Sequence, residues 1–183
     1  MLLPPGVRSA RFFPHWNPYG PFQLEGFIKL CLDINNLGTE LTGVEIGSFY
    51  GESANLLLSF PHVKKLTCVD IFIQPYLEQR LKHHIDHNRL VTKQMTSIEA
   101  ADLFEDASLD FVYIDADHSY DAVVADLAAW YPKLKTNGLF CGHDYLVEEN
   151  ANTVVKAVDE FFAANNLTLK WYTDSSWSAV KVN

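Results

Sequence analysis

The stretch Val44-Glu45-Ile46-Gly47-Ser48-Phe49-Tyr50-Gly51 decides how the chain is read. An apolar run ends in an acidic residue and two glycines, and a helix-like segment follows. Such a strand–loop–helix turn brings backbone close to a ligand, because glycine adopts conformations that side chains forbid. It also points free N–H groups outward from a helix N-terminus. The spacing fits neither common nucleotide signature. A phosphate loop needs four residues between its glycines and then a lysine. Here three residues separate Gly47 from Gly51, and no lysine follows. The dinucleotide turn needs a third glycine, which is missing. The acidic residue two before Gly47 suits a ligand bearing hydroxyls and an amine as well as an anion.

Outward from this turn the chain alternates. Short runs rich in Val, Ile and Phe at Thr42–Ser48, Lys65–Ile71, Leu90–Thr96, Leu109–Asp115 and Gly138–His143 read as strands buried on both faces. Helical periodicity lies between and around them. A helix is expected near 23–36, another over 120–134 (Val123, Val124, Leu127, Trp130, Tyr131, Leu134), and a third over 151–165 (Val154, Val155, Val158, Phe161, Phe162). The alternation predicts an α/β fold, a Rossmann-like doubly wound parallel sheet. Leu167–Tyr172 and Ser176–Val182 are too close for a crossover, so they predict an antiparallel hairpin at the sheet edge.

Composition sets the class. At 183 residues, 48% of them apolar, residues 23–183 read as one globular domain. Residues 1–22 form a separate arm with five of the eight prolines and interleaved Phe12, Phe13, Trp16, Tyr19 and Phe22. Proline density argues against a regular element there. The aromatics predict docking on the domain, on a substrate site, or on a second copy to make a homo-oligomer. Net charge is −9 with no basic block, which disfavours nucleic acid as a partner. No apolar run is long enough to span a bilayer, so no membrane partner is expected. Cys31, Cys68 and Cys141 are scattered and read as free thiols of a cytoplasmic protein.

In an open parallel sheet, ligands collect beyond the carboxyl ends of the strands, where strand order reverses. Each of those ends is polar here: Glu45 and Gly47, then Asp70, then Asp115-Ala116-Asp117-His118, then His143-Asp144-Tyr145. Asp70 follows Glu45 by a distance suited to gripping ribose hydroxyls. Ser97, after the third strand, either borders an adenine or starts a helix with Glu99.

VEIGSFYGES, CVDIF and DFVYIDADHSYDAVVADLAAWYPKLKTNGLFCGHDY resemble the class I S-adenosylmethionine-dependent methyltransferases. Within them the chain is most similar to the small family of macrocin-type sugar O-methyltransferases and cephalosporin-hydroxylase-like proteins. The resemblance covers roughly residues 40–165. It implies a seven-stranded sheet, mostly parallel, with an antiparallel last strand. It implies that Glu45, Gly47 and Gly51 frame the methionine part of S-adenosylmethionine and that Asp70 holds its ribose. Ser48, Ile71, Ser97 and Asp115 complete the expected donor contacts. The implied reaction is methyl transfer to a small-molecule acceptor, most simply a hydroxyl.

A hydroxyl acceptor must lose a proton, and His118 is the candidate base, with Asp115 and His143 beside it. The other reading of His118 is a helix-capping or supporting residue. In resembling metal-dependent enzymes, an Asp after the fourth strand and an acidic pair after the fifth bind magnesium. Asp115 and Asp144 match that arrangement. His143 departs from it, and imidazole suits zinc, iron or nickel better than magnesium. Asp115, His143 and Asp144 are therefore the candidate ligands of a divalent metal, Mg or a transition metal. Alternatively, Asp115 contacts the donor amine while His143 and Asp144 line the acceptor pocket. Asp115-Ala116-Asp117 also forms the short pattern used by nucleotide-sugar transferases. His83, His84 and His87 read as a solvated helix face. A different nucleotide-binding enzyme and a catalytically silent cofactor-binding module remain the alternatives.

Overall fold

Two faces of one sheet divide the hydrophobic core. The computed structural model describes residues 21–146 and 150–182, with side chains from residue 25 onward. The arm therefore lies outside the described residues, except for Pro21 and Phe22, which open α1 (Pro21–Asn35). That helix was expected from 23, and proline suits its first turn, where no N–H is needed.

The remaining elements are β1 (Leu41–Ile46), α2 (Glu52–Ser59), β2 (Val63–Asp70), α3 (Pro75–Arg80), α4 (Lys82–Asp86), β3 (Leu90–Gln94) and α5 (Ser97–Ala101). They continue with β4 (Leu109–Ile114), α6 (Tyr120–Trp130), β5 (Leu134–Gly142), α7 (Val154–Ala164), β6 (Lys170–Trp171) and β7 (Trp177–Val180). The strand order is β3-β2-β1-β4-β5-β7-β6. The first five strands pair in parallel, and β7 runs antiparallel to both neighbours. This is the expected seven-stranded sheet. The order reverses beside β1, which places a switch point between β1 and β4.

Alternation along the strands explains the two layers. Val44, Ile46, Val112 and Ile114 pack with α5, α6 and α7, through Ala100, Leu127, Trp130 and Val158. Phe111, Tyr113 and Cys68 pack the other way, with Phe27, Leu30 and Ile34 of α1 and Leu56 and Leu57 of α2. Each fully buried Val, Leu, Ile or Phe among them contributes roughly 1.5–3 kcal/mol. All three cysteines are buried free thiols, as expected.

Two boundaries differ from the sequence reading. The helix expected to reach 134 ends at Trp130, and Tyr131–Lys133 tighten into a 3₁₀ turn. Pro132 cannot continue an α-helix. Leu134, read as part of the helix face, is instead the buried first residue of β5, four positions before the expected start. The first strand of the terminal hairpin is only two residues long.

Trp177 ties the reversed strand to the core. Its ring meets Phe140 at 5.8 Å and Phe162 at 5.5 Å, both nearly edge-on, and its Nε1 donates to the His143 carbonyl at 3.1 Å. Trp177→Ala is expected to lower unfolding free energy by about 3–5 kcal/mol. Urea denaturation checks this.

Candidate active site

The loop after β1 is held by its neighbours on both sides. Gly47 N–H donates to the Val69 carbonyl at 2.9 Å, and Asp115 N–H donates to the Ile46 carbonyl at 2.8 Å. Gly47 has φ +84°, and a Cβ there would lie 1.9 Å from the Asp115 carbonyl oxygen. No side chain fits. Gly51, also left-handed at φ +76°, caps α2 and packs against Leu77.

Glu45 lies beneath this loop, fully buried. Its carboxylate accepts a hydrogen bond from Ser53 Oγ and one from Cys68 Sγ at 3.2 Å. Burial pushes its pKa up to about 7, against the lowering effect of those hydrogen bonds. Neither Glu45 nor Gly51 lines the cavity above the loop, whereas Ser53 does. Glu45 therefore acts on the cavity wall through Ser53.

That cavity, of about 740 Å³, opens over the carboxyl ends of β1 to β4. Gly47, Ser48, Asp70, Ile71, Ser97, Asp115 and His118 line it, so most of the sequence-derived candidates converge. Ser48 is buried close to Glu45 and Cys68, and its hydroxyl makes no hydrogen bond of good geometry with either. Asp70 accepts from the backbone N–H of Phe49 and of Phe72, both at 3.0 Å, which ties the glycine loop to the end of β2. It caps no helix, because α3 begins only at Pro75. Ile71 is 74% exposed at the rim, an apolar surface open to a planar ring.

Thr96, not Ser97, caps α5: its side chain and that of Glu99 form a reciprocal capping box. Ser97 Oγ is thereby left to accept from Trp130 Nε1 at 2.8 Å. Asp126 also lines the cavity and is almost completely buried. Burial pushes its carboxyl pKa up, and a hydrogen bond from Ser97 opposes the shift. The sequence reading missed Asp126. The signal was available, since Asp126 falls within the apolar stripe of α6 between Val123, Leu127 and Trp130, where an acid is unexpected.

At the other side of β1 the acids and histidines gather. His118 Nε2 lies 3.0 Å from Asp144 Oδ2 and 3.5 Å from Asp115 Oδ1. The hydrogen bonds to Asp115 and Asp144 push the His118 pKa up to about 10. His143 Nδ1 is 3.4 Å from Asp144, and its Nε2 meets Ser175 Oγ at 3.3 Å. Burial works to lower the His143 pKa, but Asp144 and the charges of Asp115 and Asp174 outweigh it, raising it to about 9. The Asp144 carboxyl is desolvated, yet its two histidine partners hold it well below the usual range. Asp144 adopts a left-handed backbone, φ 60°, a conformation that marks a constrained position.

A group able to share one cation forms from Asp115, His118 and Asp144, whose ligand atoms lie within 4.8 Å of one another. It differs from the expected trio, because His143 turns toward Ser175 and His118 takes its place. Of the histidines read as a solvated face, His83 and His87 are exposed. His84 is half-buried, with its pKa lowered to about 4 by burial and by Arg89.

A family described as a methyltransferase domain matches residues 44–145, more than half of the chain and the whole of this cavity's loop system. The chain belongs to that family. An uncharacterized protein of Acanthamoeba polyphaga mimivirus is 25% identical to the methyltransferase-domain chain over 134 residues, 68% of this chain and 60% of that one. Among solved structures, MycE methyltransferase from the mycinamycin biosynthetic pathway, in complex with Mg and SAH, is similar with a TM-score of 0.70 at 18% identity. The match covers 96% of this chain and 53% of MycE. The O-methyltransferase from Bacillus cereus in complex with SAH has a TM-score of 0.66 at 12% identity, covering 92% of this chain and 86% of its own. At these identities the likeness is one of fold. This chain spans 7% and 60% of the lengths of the two curated relatives it matches.

The raised Glu45 pKa has a stability consequence. The folded state holds the proton more tightly than the unfolded chain, whose value is near 4.5. Stability from this group is therefore complete below that pH and lost as pH rises toward about 7. At 1.36 kcal/mol per unit, the loss is roughly 3 kcal/mol. Glu45→Gln is expected to gain on the wild type by about that amount between pH 4 and pH 8. Paired urea titrations across the range measure it; parallel curves would contradict it.

Proposed function

We propose that this chain transfers the methyl group of S-adenosylmethionine to a hydroxyl of a small polar acceptor. The observation that carries the reading is the charge of the cavity. Among the described residues that line it are Glu52, paired with Arg80 behind it, and Asp70, Asp115, Asp117 and Asp126, against one protonated histidine, His118, and no lysine or arginine. A diphosphate ligand, as in a dinucleotide or nucleotide-sugar, would meet repulsion there. A donor with a cationic sulfonium and an ammonium group meets the opposite, and the tight loop at Gly47 suits its close approach.

In this reading Asp70 uses its remaining lone pairs on the ribose hydroxyls, Ile71 lies against the base, and Ser97 borders it. Within the loop, the Gly47, Phe49 and Gly51 N–H groups donate to Val69, Asp70 and Ser48, and the Ser48 N–H is the one that serves the donor carboxylate. Asp115 takes the ammonium group. The acceptor oxygen forms its bond to the methyl carbon as the sulfur–carbon bond breaks, leaving a neutral thioether, and His118 receives the hydroxyl proton. Without ligands, Asp115 and Asp144 keep His118 protonated at neutral pH. Engagement of Asp115 by the donor ammonium weakens that hold, while His143 still engages Asp144. His118 is thereby freed to act as a base.

Asp115 and Asp144 offer oxygens that suit a hard divalent cation, and such an ion would supply Lewis acidity toward the acceptor hydroxyl. The imidazoles beside them suit magnesium less well.

Calorimetric titration with S-adenosylhomocysteine, with and without EDTA, tests the donor assignment. Binding is expected, and its absence in both conditions overturns the reading. His118→Ala is expected to keep donor affinity within about threefold while methyl transfer to a hydroxyl acceptor falls by about 10²–10⁴. An imidazole NMR titration should show the His118 pKa falling from about 10 when the donor product binds.

A further inference from the structure

We infer that Ser175, in the turn between β6 and β7, is a positioning residue for the base: it holds the His143 ring against Asp144, and so limits how much of Asp144 is left for His118. This rests on the methyl-transfer reading above and extends it to a turn near the sheet edge, 32 positions along the chain from His143.

Ser175 is buried and has φ +70°, in the left-handed region that glycine enters at no steric cost. Serine is disfavoured there. What it has that glycine lacks is a hydroxyl, and this one meets a ring nitrogen of His143. The turn is fixed from several sides. Tyr145 N–H donates to the Ser175 carbonyl at 2.9 Å, and Trp177 Nε1 donates to the His143 carbonyl at 3.1 Å. Asp174 accepts from the N–H of Ser176 at 3.1 Å and from its hydroxyl at 2.8 Å. Gly26 of α1 presses on the same residue, since a Cβ there would lie 2.4 Å from the Asp174 carboxylate. The hydroxyl is therefore held opposite the histidine.

The directions of the hydrogen bonds are constrained. Ser175 Oγ donates to the Asp174 carbonyl, so toward His143 it can only accept, and Nε2 carries the proton at 3.3 Å. The other ring nitrogen, Nδ1, faces Asp144 Oδ2 at 3.4 Å. His118 Nε2 approaches that same oxygen at 3.0 Å. Two imidazoles thus share one carboxylate oxygen, and Ser175 anchors His143 by its far nitrogen. Without the hydroxyl, Nε2–H loses its acceptor in a mostly buried position, which is costly, and the ring turns to find another. Nδ1 then leaves Asp144, whose oxygen goes wholly to His118. In the reaction proposed above, His118 is released only while His143 keeps its share of Asp144. Ser175 acts on the base through those two residues alone.

Ser175→Gly tests this, because it removes the hydroxyl and suits the left-handed backbone. Thermal melts show that the variant is folded, and Ser175→Ala replaces it if it is not. Proton–nitrogen spectra of the imidazoles, taken on the full-length protein at one fixed neutral pH, read both rings without any acceptor. In the wild type the His143 Nε2 proton should exchange slowly with water. In Ser175→Gly it is expected to exchange about tenfold faster, the size of one net hydrogen bond. The His118 ring signals should shift in the same variant, although the partners of that ring are Asp115 and Asp144. A folded variant whose His118 signals match the wild type, or whose His143 proton exchanges no faster, overturns the inference while leaving the methyl-transfer reading intact. A wild type that binds no S-adenosylhomocysteine by calorimetry overturns the methyl-transfer reading, and the positioning role falls with it.

Discussion

The close approach of Gly47 to the end of β4 is the constraint on which the site depends. A Cβ at that position would overlap the Asp115 carbonyl, so the first strand can enter its loop only through glycine. The single Ile46–Gly47 peptide group donates through its N–H to Val69 of β2 and accepts through its carbonyl from Asp115, just beyond β4. Because the loop is wedged this tightly, Asp70 and Asp115 end up lining a single cavity from opposite sides of β1. Asp70 then fastens the loop from above through Phe49, and Glu45 steadies it from below through Ser53.

Gathering so many carboxylates has an electrostatic cost, and the structure handles it differently at the two ends. Around Asp144, two histidines stand close to two acids; the acids raise the proton affinity of His118 and His143, and the histidines lower that of Asp144. Along the rest of the cavity the acids have fewer partners. Asp126 has beside it the Ser97 hydroxyl, itself held by the Trp130 indole, and no cation. In the proposed reading, such a surface favours a cationic donor over a phosphate.

Much of this was legible before any coordinates. The strand–helix alternation, the hairpin at the end and the polar residue after each apolar run depend on local periodicity, which survives in the sequence. Gly47, Ser48, Asp70, Ile71, Ser97, Asp115 and His118 line one cavity because a parallel sheet exposes its carboxyl ends together. Boundaries moved where a local rule overrode the apolar pattern, as at Pro132, where the helix stops and Leu134 passes to β5. Asp126 escaped because helix periodicity highlights apolar positions, and one acid in an apolar stripe does not announce which cavity it faces.

The amino-acid order by itself determined the α/β class, the glycine turn and the set of polar strand ends, because each depends on neighbours within a few residues. Only the tertiary structure decided what those polar groups do to one another. It placed Glu45 behind the cavity wall, turned His143 toward Ser175, and put His118 between Asp115 and Asp144. Those outcomes depend on side-chain distances between segments far apart in the chain. Proton affinity follows from such distances and from burial, and neither is written in the spacing of residues along the sequence.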